Sequence, residues 1–376
     1  MKTAICEKLG IEFPIFAFSH CRDVVAAVSR AGGLGVLGAV AYSPEELETE
    51  LRWIDEHVGD KPYGVDTVIP AAYLGKSQGD FDKTTLEDMV PQTHQQFIRE
   101  LLARHGVPDL PEDIDSTESL LGWSTSKGLA HVEVALNHPI ALIANALGPP
   151  PPEAIEAAHA KGVAIAALCG SVKQAKRQAE AGVDIVIASG YEAGGHTGEI
   201  ASMVLIPQVV DAVAPTPVLA AGGIGGGRQM AAAMALGAQG VWTGSLWLTT
   251  AESDCPPALV DKLIEASSEQ TIRSRCISGK PARQLVTTYT NAWEGEASPG
   301  MLPMPLQWMA TAEATQRIYR HARAGEPGSA ELLGTPVGQV VGQMNAVRSV
   351  SSVMNDMVHE YIDVVTGAAT SLEEEG

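Results

Sequence analysis

Short runs of aliphatic and β-branched residues recur along the chain, separated by segments whose apolar positions return every three or four residues. The runs read as strands buried on both faces, the segments between them as amphipathic helices. Eight runs stand out: Pro14–Phe18, Leu34–Leu37, Tyr63–Ile69, Ile140–Asn145, Val163–Leu168, Val183–Ala188, Pro217–Ala221 and Gly240–Thr243. Helical patterns lie between most of them, at Asp23–Arg30, Pro44–His57, Pro152–Lys161, Val172–Ala181, Ser202–Val213 and Gly227–Leu236. Ser43 and Ser171 stand at cap positions, and Pro152 suits a first helical turn. Eight strands alternating with helices predict an α/β fold, a TIM (β/α)8 barrel whose site is built from loops at the strand carboxyl ends.

Two stretches exceed the minimal barrel. Residues 71–138 form an insertion after strand 3, with helical patterns at Thr85–His105 and Gly128–Leu136 and a Pro/Asp-rich turn from Pro108 to Asp115. The barrel with this insertion is expected over residues 1–250. Residues 251–376 are expected to be a C-terminal helical extension, with helices at Thr311–Ala324 and Gly338–Val365, acting as a lid, or else closing the barrel or an oligomer contact. The Ser371–Gly376 end should fray.

Composition narrows the class. Of 376 residues 45% are hydrophobic but only 5% aromatic, and 38 are glycine, a mixture suited to parallel strands under helices rather than to a β-sandwich. The formal net charge of −20 repels a phosphate backbone and also argues against an acidic carrier protein, so no nucleic-acid partner is expected. Cys6, Cys21, Cys169, Cys255 and Cys276 are scattered without a CxxC pair and read as reduced thiols, neither a disulfide frame nor a metal site. Glu7, Glu12 and Pro14 interrupt any signal-peptide core, and no segment reaches the ~18 apolar residues of a membrane span. A cytoplasmic location is expected.

The chemistry concentrates in three loops. After the sixth run comes Ala188-Ser189-Gly190-Tyr191-Glu192-Ala193-Gly194-Gly195-His196-Thr197-Gly198, a glycine-rich backbone around one imidazole. Such a loop can approach a ligand closely, and histidine suits proton transfer near neutral pH. The plainer reading is a tight turn with a hydrogen-bonded histidine. After the seventh run comes Gly222-Gly223-Ile224-Gly225-Gly226-Gly227, and the eighth ends at Thr243-Gly244-Ser245. In barrels these two loops are the habitual phosphate site, where backbone N–H groups and a helix N-terminus point at the anion. Gly33-Leu34-Gly35-Val36-Leu37-Gly38 spells GxGxxG, but a helix precedes it and the strand lies inside it, the reverse of a dinucleotide fingerprint.

Three blocks together resemble the nitronate monooxygenase (2-nitropropane dioxygenase) family, which also includes flavin-dependent enoyl-acyl-carrier-protein reductases. They are Leu9–Ile15 continuing to Ala31–Gly35, then Glu192–Glu199, and then Pro217–Ile224 with Thr243–Ser245. Weaker echoes are Pro62–Asp66, Ser278–Arg283 and Gly338-Gln339. The resemblance implies a TIM barrel with noncovalent FMN. It places Gly222, Gly223, Gly244 and Ser245 at the FMN phosphate and Ala193, Gly194 and Gly195 along the flavin. His196 becomes the catalytic residue. Ser19, Asp66 and Ser189 fall at positions near the flavin in relatives, where the family often carries other residues: Phe18-Ser19-His20 replaces a methionine loop, Asp66 an asparagine, and Ser189 a glutamine or glutamate. His20 is either a second site imidazole or a structural one.

The first functional expectation is oxidation of alkyl nitronates with O2. The alternative is an enoyl-thioester reductase using NAD(P)H, with an acyl-carrier-protein or CoA substrate whose phosphate Lys280 and Arg283 would meet. A third is a flavin-binding carrier without turnover, against which His196 argues. In the enzymatic readings the partner is a small-molecule substrate.

Overall fold

The computed structural model describes residues 1–70, 83–111 and 124–373. Eight parallel strands close a barrel: β1 (Ile15–Ser19), β2 (Leu34–Gly38), β3 (Tyr63–Thr67), β4 (Leu142–Asn145), β5 (Ala164–Cys169), β6 (Ile185–Ser189), β8 (Val218–Ala221) and β9 (Gly240–Thr243). The ring closes where Ile15 to Ala17 pair with Val241 to Thr243. Every expected strand is present, with bounds shifted by at most two residues. The GxGxxG stretch contains β2 itself, and Gly35 lets the helix Arg22–Arg30 lie directly on that strand.

Two apolar layers follow from strand alternation. Ile15, Val65, Ile143, Val186 and Val241 face the surrounding helices, whereas Phe16, Val36, Leu142, Ile187, Leu219 and Trp242 fill the lumen. The short helix Ala4–Leu9 plugs the amino-terminal end, placing Ile5 and Leu9 against that lumen. A cavity of about 450 Å3 lies at this plugged end, lined by Lys2, Glu7, Glu12 and Lys61, away from the three glycine loops.

The last helix corrects the expected boundaries. Gly338–Val365 is not one helix: Gln339–Gln343 forms a short 3-10 turn and the helix runs Val350–Glu373. Val350, Met354 and Met357 join the barrel's helix-facing core, so this helix completes the ring of barrel helices. Residues 251–349 are therefore an excursion between the eighth barrel strand and its helix. Thr311–Ala324 begins earlier, as Leu306–Arg323. Thr85–His105 is two helices, Lys83–Asp88 and Gln92–Arg104, because Pro91 cannot continue a helix and instead starts the second. The third insertion helix is Thr125–Ala135, capped by Ser124. Much of the Pro108–Asp115 turn, from residue 112 onward, lies outside the described residues.

The two excursions share a second core. Phe97, Leu101 and Leu102 of the insertion pack with Leu259, Leu263, Trp293 and Ile318 of the later segment. A small sheet stands between this core and the barrel mouth: β7 (Gly195–His196), β11 (Ala282–Leu285) and β10 (Thr271–Ser274). Among the described residues no helix is long and apolar enough to cross a membrane, and the five cysteines are free thiols.

Candidate active site

The histidine loop is held by its glycines in close packing. A Cβ at Gly190 would lie 2.6 Å from Ser202 N, one at Gly194 2.8 Å from Gly338 N, and one at Gly170 2.7 Å from the Cα of Gly198. Gly195 differs: its φ is +75° and nothing stands within 4 Å of the missing Cβ. The loop then joins β11, pairing His196 with Ala282 and Gly195 with Arg283. His196 Nε2 lies 2.7 Å from Ser278 Oγ. Burial first, then the Lys280 charge, push the imidazole down to about 4, so it is neutral at physiological pH.

Ser278 is buried and also accepts the Lys280 N–H at 3.3 Å. Gly279 between them takes φ +82°, packed against Leu302 and Met304, and its carbonyl accepts Arg275 Nε at 2.8 Å. This tight turn delivers a hydroxyl to the imidazole. Lys280 is half-buried, with its ammonium pKa lowered by burial and no carboxylate partner among the described residues. Arg283 is only 3% exposed, which corrects the expectation that it meets a CoA phosphate. Its Nε donates to Tyr191 O at 3.2 Å, its Nη1 to Thr271 Oγ1 at 3.0 Å, and its guanidinium stacks 4.6 Å from the Tyr191 ring.

The two phosphate-type loops meet beside this loop. Gly222 and Gly223 take φ of +90° and +72°, conformations open to glycine. Glu192 accepts the Ser202 N–H, and the Ser202 hydroxyl donates to the carbonyls of Ala221 and Gly222, tying the histidine loop to the glycine turn. Ser245 Oγ accepts Gly338 N at 2.9 Å, which leaves its hydrogen to donate. A Cβ at Gly244 would meet only Phe18, at 3.9 Å. One N–H of the helix N-terminus expected at the anion is taken: Gly227 N donates to Glu360 Oε2 at 2.8 Å, from the last helix.

The remaining expected positions lie at the carboxyl ends of β1, β3 and β6. Asp66 alternates with the helix-facing Val65 and so faces the lumen, in register with Gly38 and Ala144. It is buried, its Oδ1 has no partner, and burial raises its carboxyl to about 8. Ser189 ends β6 in register with Ala221 and is buried. Ser19 Oγ accepts Cys21 N at 3.1 Å. Ala193 is buried and touches the space beside Gly222. His20 Nδ1 lies 3.1 Å from Gly38 O and its ring stands edge-on to Phe18, while its side chain remains reachable by solvent. Desolvation by surrounding protein lowers its pKa.

Ser278 is not among the site residues the sequence predicts, although it opens the Ser278–Arg283 motif. No periodicity signals that a turn 82 residues downstream reaches His196.

A closed parallel barrel with an imidazole and bare glycine turns at its carboxyl mouth has the layout of a barrel enzyme acting on a small molecule. Residues 2–360 match the nitronate monooxygenase family, and the chain belongs to it. It is a flavin-dependent oxidoreductase. A Mycobacterium tuberculosis protein named as a monooxygenase is 53% identical over 97% of this chain and 98% of its own. A Staphylococcus aureus protein named for nitronate monooxygenase is 29% identical over 76% of this chain and 78% of its own. Among solved structures, FabK from Thermotoga maritima superposes with a TM-score of 0.73 and 26% identity, covering 99% of both chains. Nitroalkane oxidase from Streptomyces ansochromogenes gives a TM-score of 0.78 at 24% identity, covering 97% of this chain and 100% of its own, a likeness of fold.

Proposed function

We propose that the protein oxidises alkyl nitronates with O2, using noncovalent FMN bound at the carboxyl mouth of the barrel. The observation that carries this reading is the neutral His196 with the unpaired Lys280 charge close by, an environment suited to a small anion. FMN fits the residues present. Open space lies at Gly195 and Gly244, a free hydroxyl hydrogen at Ser245, and an unpartnered carboxyl oxygen at Asp66. Gly222, Gly223, Gly244 and Ser245 would hold its phosphate, with Ala193, Gly194, Gly195, Ser189, Ser19 and Asp66 beside the rest. Because Glu360 already takes the Gly227 N–H, the loop N–H groups and Ser245 would carry the anion without that donor. Bound flavin supplies the electron acceptor. His196 orients the nitronate and Lys280 offsets its charge.

Anaerobic mixing of the purified, flavin-loaded protein with a small alkyl nitronate tests this. Loss of the oxidised-flavin absorbance is the expected result; an unchanged spectrum refutes it. Reduction by NAD(P)H with turnover of an enoyl thioester would establish the alternative that the likeness to FabK favours.

A further inference from the structure

We infer that Ser278 is a positioning residue that holds His196 in the tautomer with its hydrogen on Nδ1, so that the imidazole meets the substrate as a neutral donor. This rests on the proposal that His196 faces the substrate.

The argument is one of hydrogen-bond accounting. Ser278 Oγ has one hydrogen and two lone pairs, and the Lys280 N–H occupies one lone pair at 3.3 Å. Two groups remain in reach: His196 Nε2 at 2.7 Å and the Lys280 carbonyl at 3.5 Å. A carbonyl can only accept, so the tautomer is settled by which neighbour takes the hydroxyl hydrogen. The carbonyl sits at the limit of a useful bond. At 2.7 Å the imidazole nitrogen is by far the nearer acceptor for the hydroxyl hydrogen, and this separation lies at the short end of the roughly 2.7–3.2 Å range of an N–H donor. The hydroxyl therefore donates to Nε2, and the Lys280 N–H entering the same oxygen polarises it in that direction. Nδ1 then carries the hydrogen. It has no acceptor among the described residues, and Lys280, whose charge is felt at the ring, favours an anion there over an imidazolium. The turn is built to keep this arrangement: Ser278 is 1% exposed, Gly279 is confined by the backbone of Leu302 and Met304, and β11 pairs directly with His196.

The test reads the tautomer and the kinetics separately. In flavin-loaded protein labelled with 15N-histidine, the His196 signals, assigned by their loss in His196→Asn, should show a protonated Nδ1 and an unprotonated Nε2. Ser278→Ala should shift the ring toward the Nε2–H form and lower kcat/KM for the nitronate about tenfold, the loss of one hydrogen bond of ~1.4 kcal/mol. Ser278→Thr, which keeps the hydroxyl, should restore both. A wild-type ring protonated on Nε2 overturns the inference, whatever the fate of the variants. So does a Ser278→Ala protein whose tautomer matches wild type. If the enzyme does not turn over nitronates, the tautomer measurement still decides the role of Ser278, so the two readings fail independently.

Discussion

Replacing Asp66 with asparagine removes a carboxyl whose ionisation burial suppresses. The carboxyl lies in the lumen beside Gly38 and Ala144, without a cation among its partners, and His20, whose own pKa is lowered, fills the space at Gly38. Burial alone raises its pKa from 3.8 to about 8. The folded chain therefore keeps a proton that the unfolded chain releases above pH 4. Between those values the unfolded state binds fewer protons, so stability falls as pH rises and levels off only above the folded pKa. At 1.36 kcal/mol per unit, the roughly three units from the unfolded value to pH 7 give an upper bound of about 4 kcal/mol. With an unfolding entropy of about 2.1 cal/mol/K per residue, a chain of this length converts that into about 5 °C of Tm. Asp66→Asn conserves shape and has no proton to lose. Melting curves of flavin-free wild type and Asp66→Asn should differ little near pH 4.5, and the variant should gain about 5 °C on wild type by pH 8. A difference that stays constant across this range would refute the reasoning, because it would mean that Asp66 is ionised in the fold at ordinary pH.

Four further substitutions bear on cofactor binding, folding and catalysis, three of them cleanly. Gly244→Asp has open space at the new Cβ, so it should fold with a near-normal Tm but purify without flavin absorbance; retained colour would remove this loop from the cofactor site. Gly223→Asp is the less clean variant, since its φ of +72° and the nearby Glu192 would strain the loop even without a ligand. His196→Asn should keep bound flavin yet lose about 10²–10³-fold in turnover, the range for losing one positioned donor; wild-type turnover would exclude the imidazole from the mechanism. Glu360→Ala uncaps the helix Gly227–Ala235 and should lower unfolding stability by about 1 kcal/mol in urea titrations, with flavin content unchanged.

The barrel could be read from sequence because each strand is a local signal. A run such as Ile185–Ser189, buried on both faces, declares itself by composition, and Ser43 and Ser171 mark helix starts with their own side chains. The glycine turns were visible for the same reason, since Gly222 and Gly223 adopt left-handed dihedrals within the turn itself. The order of helix and strand around Gly33–Gly38 was enough to set aside a dinucleotide fingerprint, because β2 lies within the motif.

What only the tertiary structure decided is what depends on partners distant in the chain. Ser278 reaches His196 across 82 residues, and Glu360 reaches the N–H of Gly227 across 133, so neither bond leaves a periodicity to read. The Gly338–Val365 pattern looked continuous because apolar spacing does not report a break. Packing of Gly338 against Glu192 and Gly194 turns the chain there, and the helix starts only where Val350 enters the barrel core. Arg283 reads in the sequence as a cation for a CoA phosphate, whereas β11 places it buried against the Tyr191 ring. Local sequence determines which backbone shapes form; which side chains share a site follows from how those shapes close on one another.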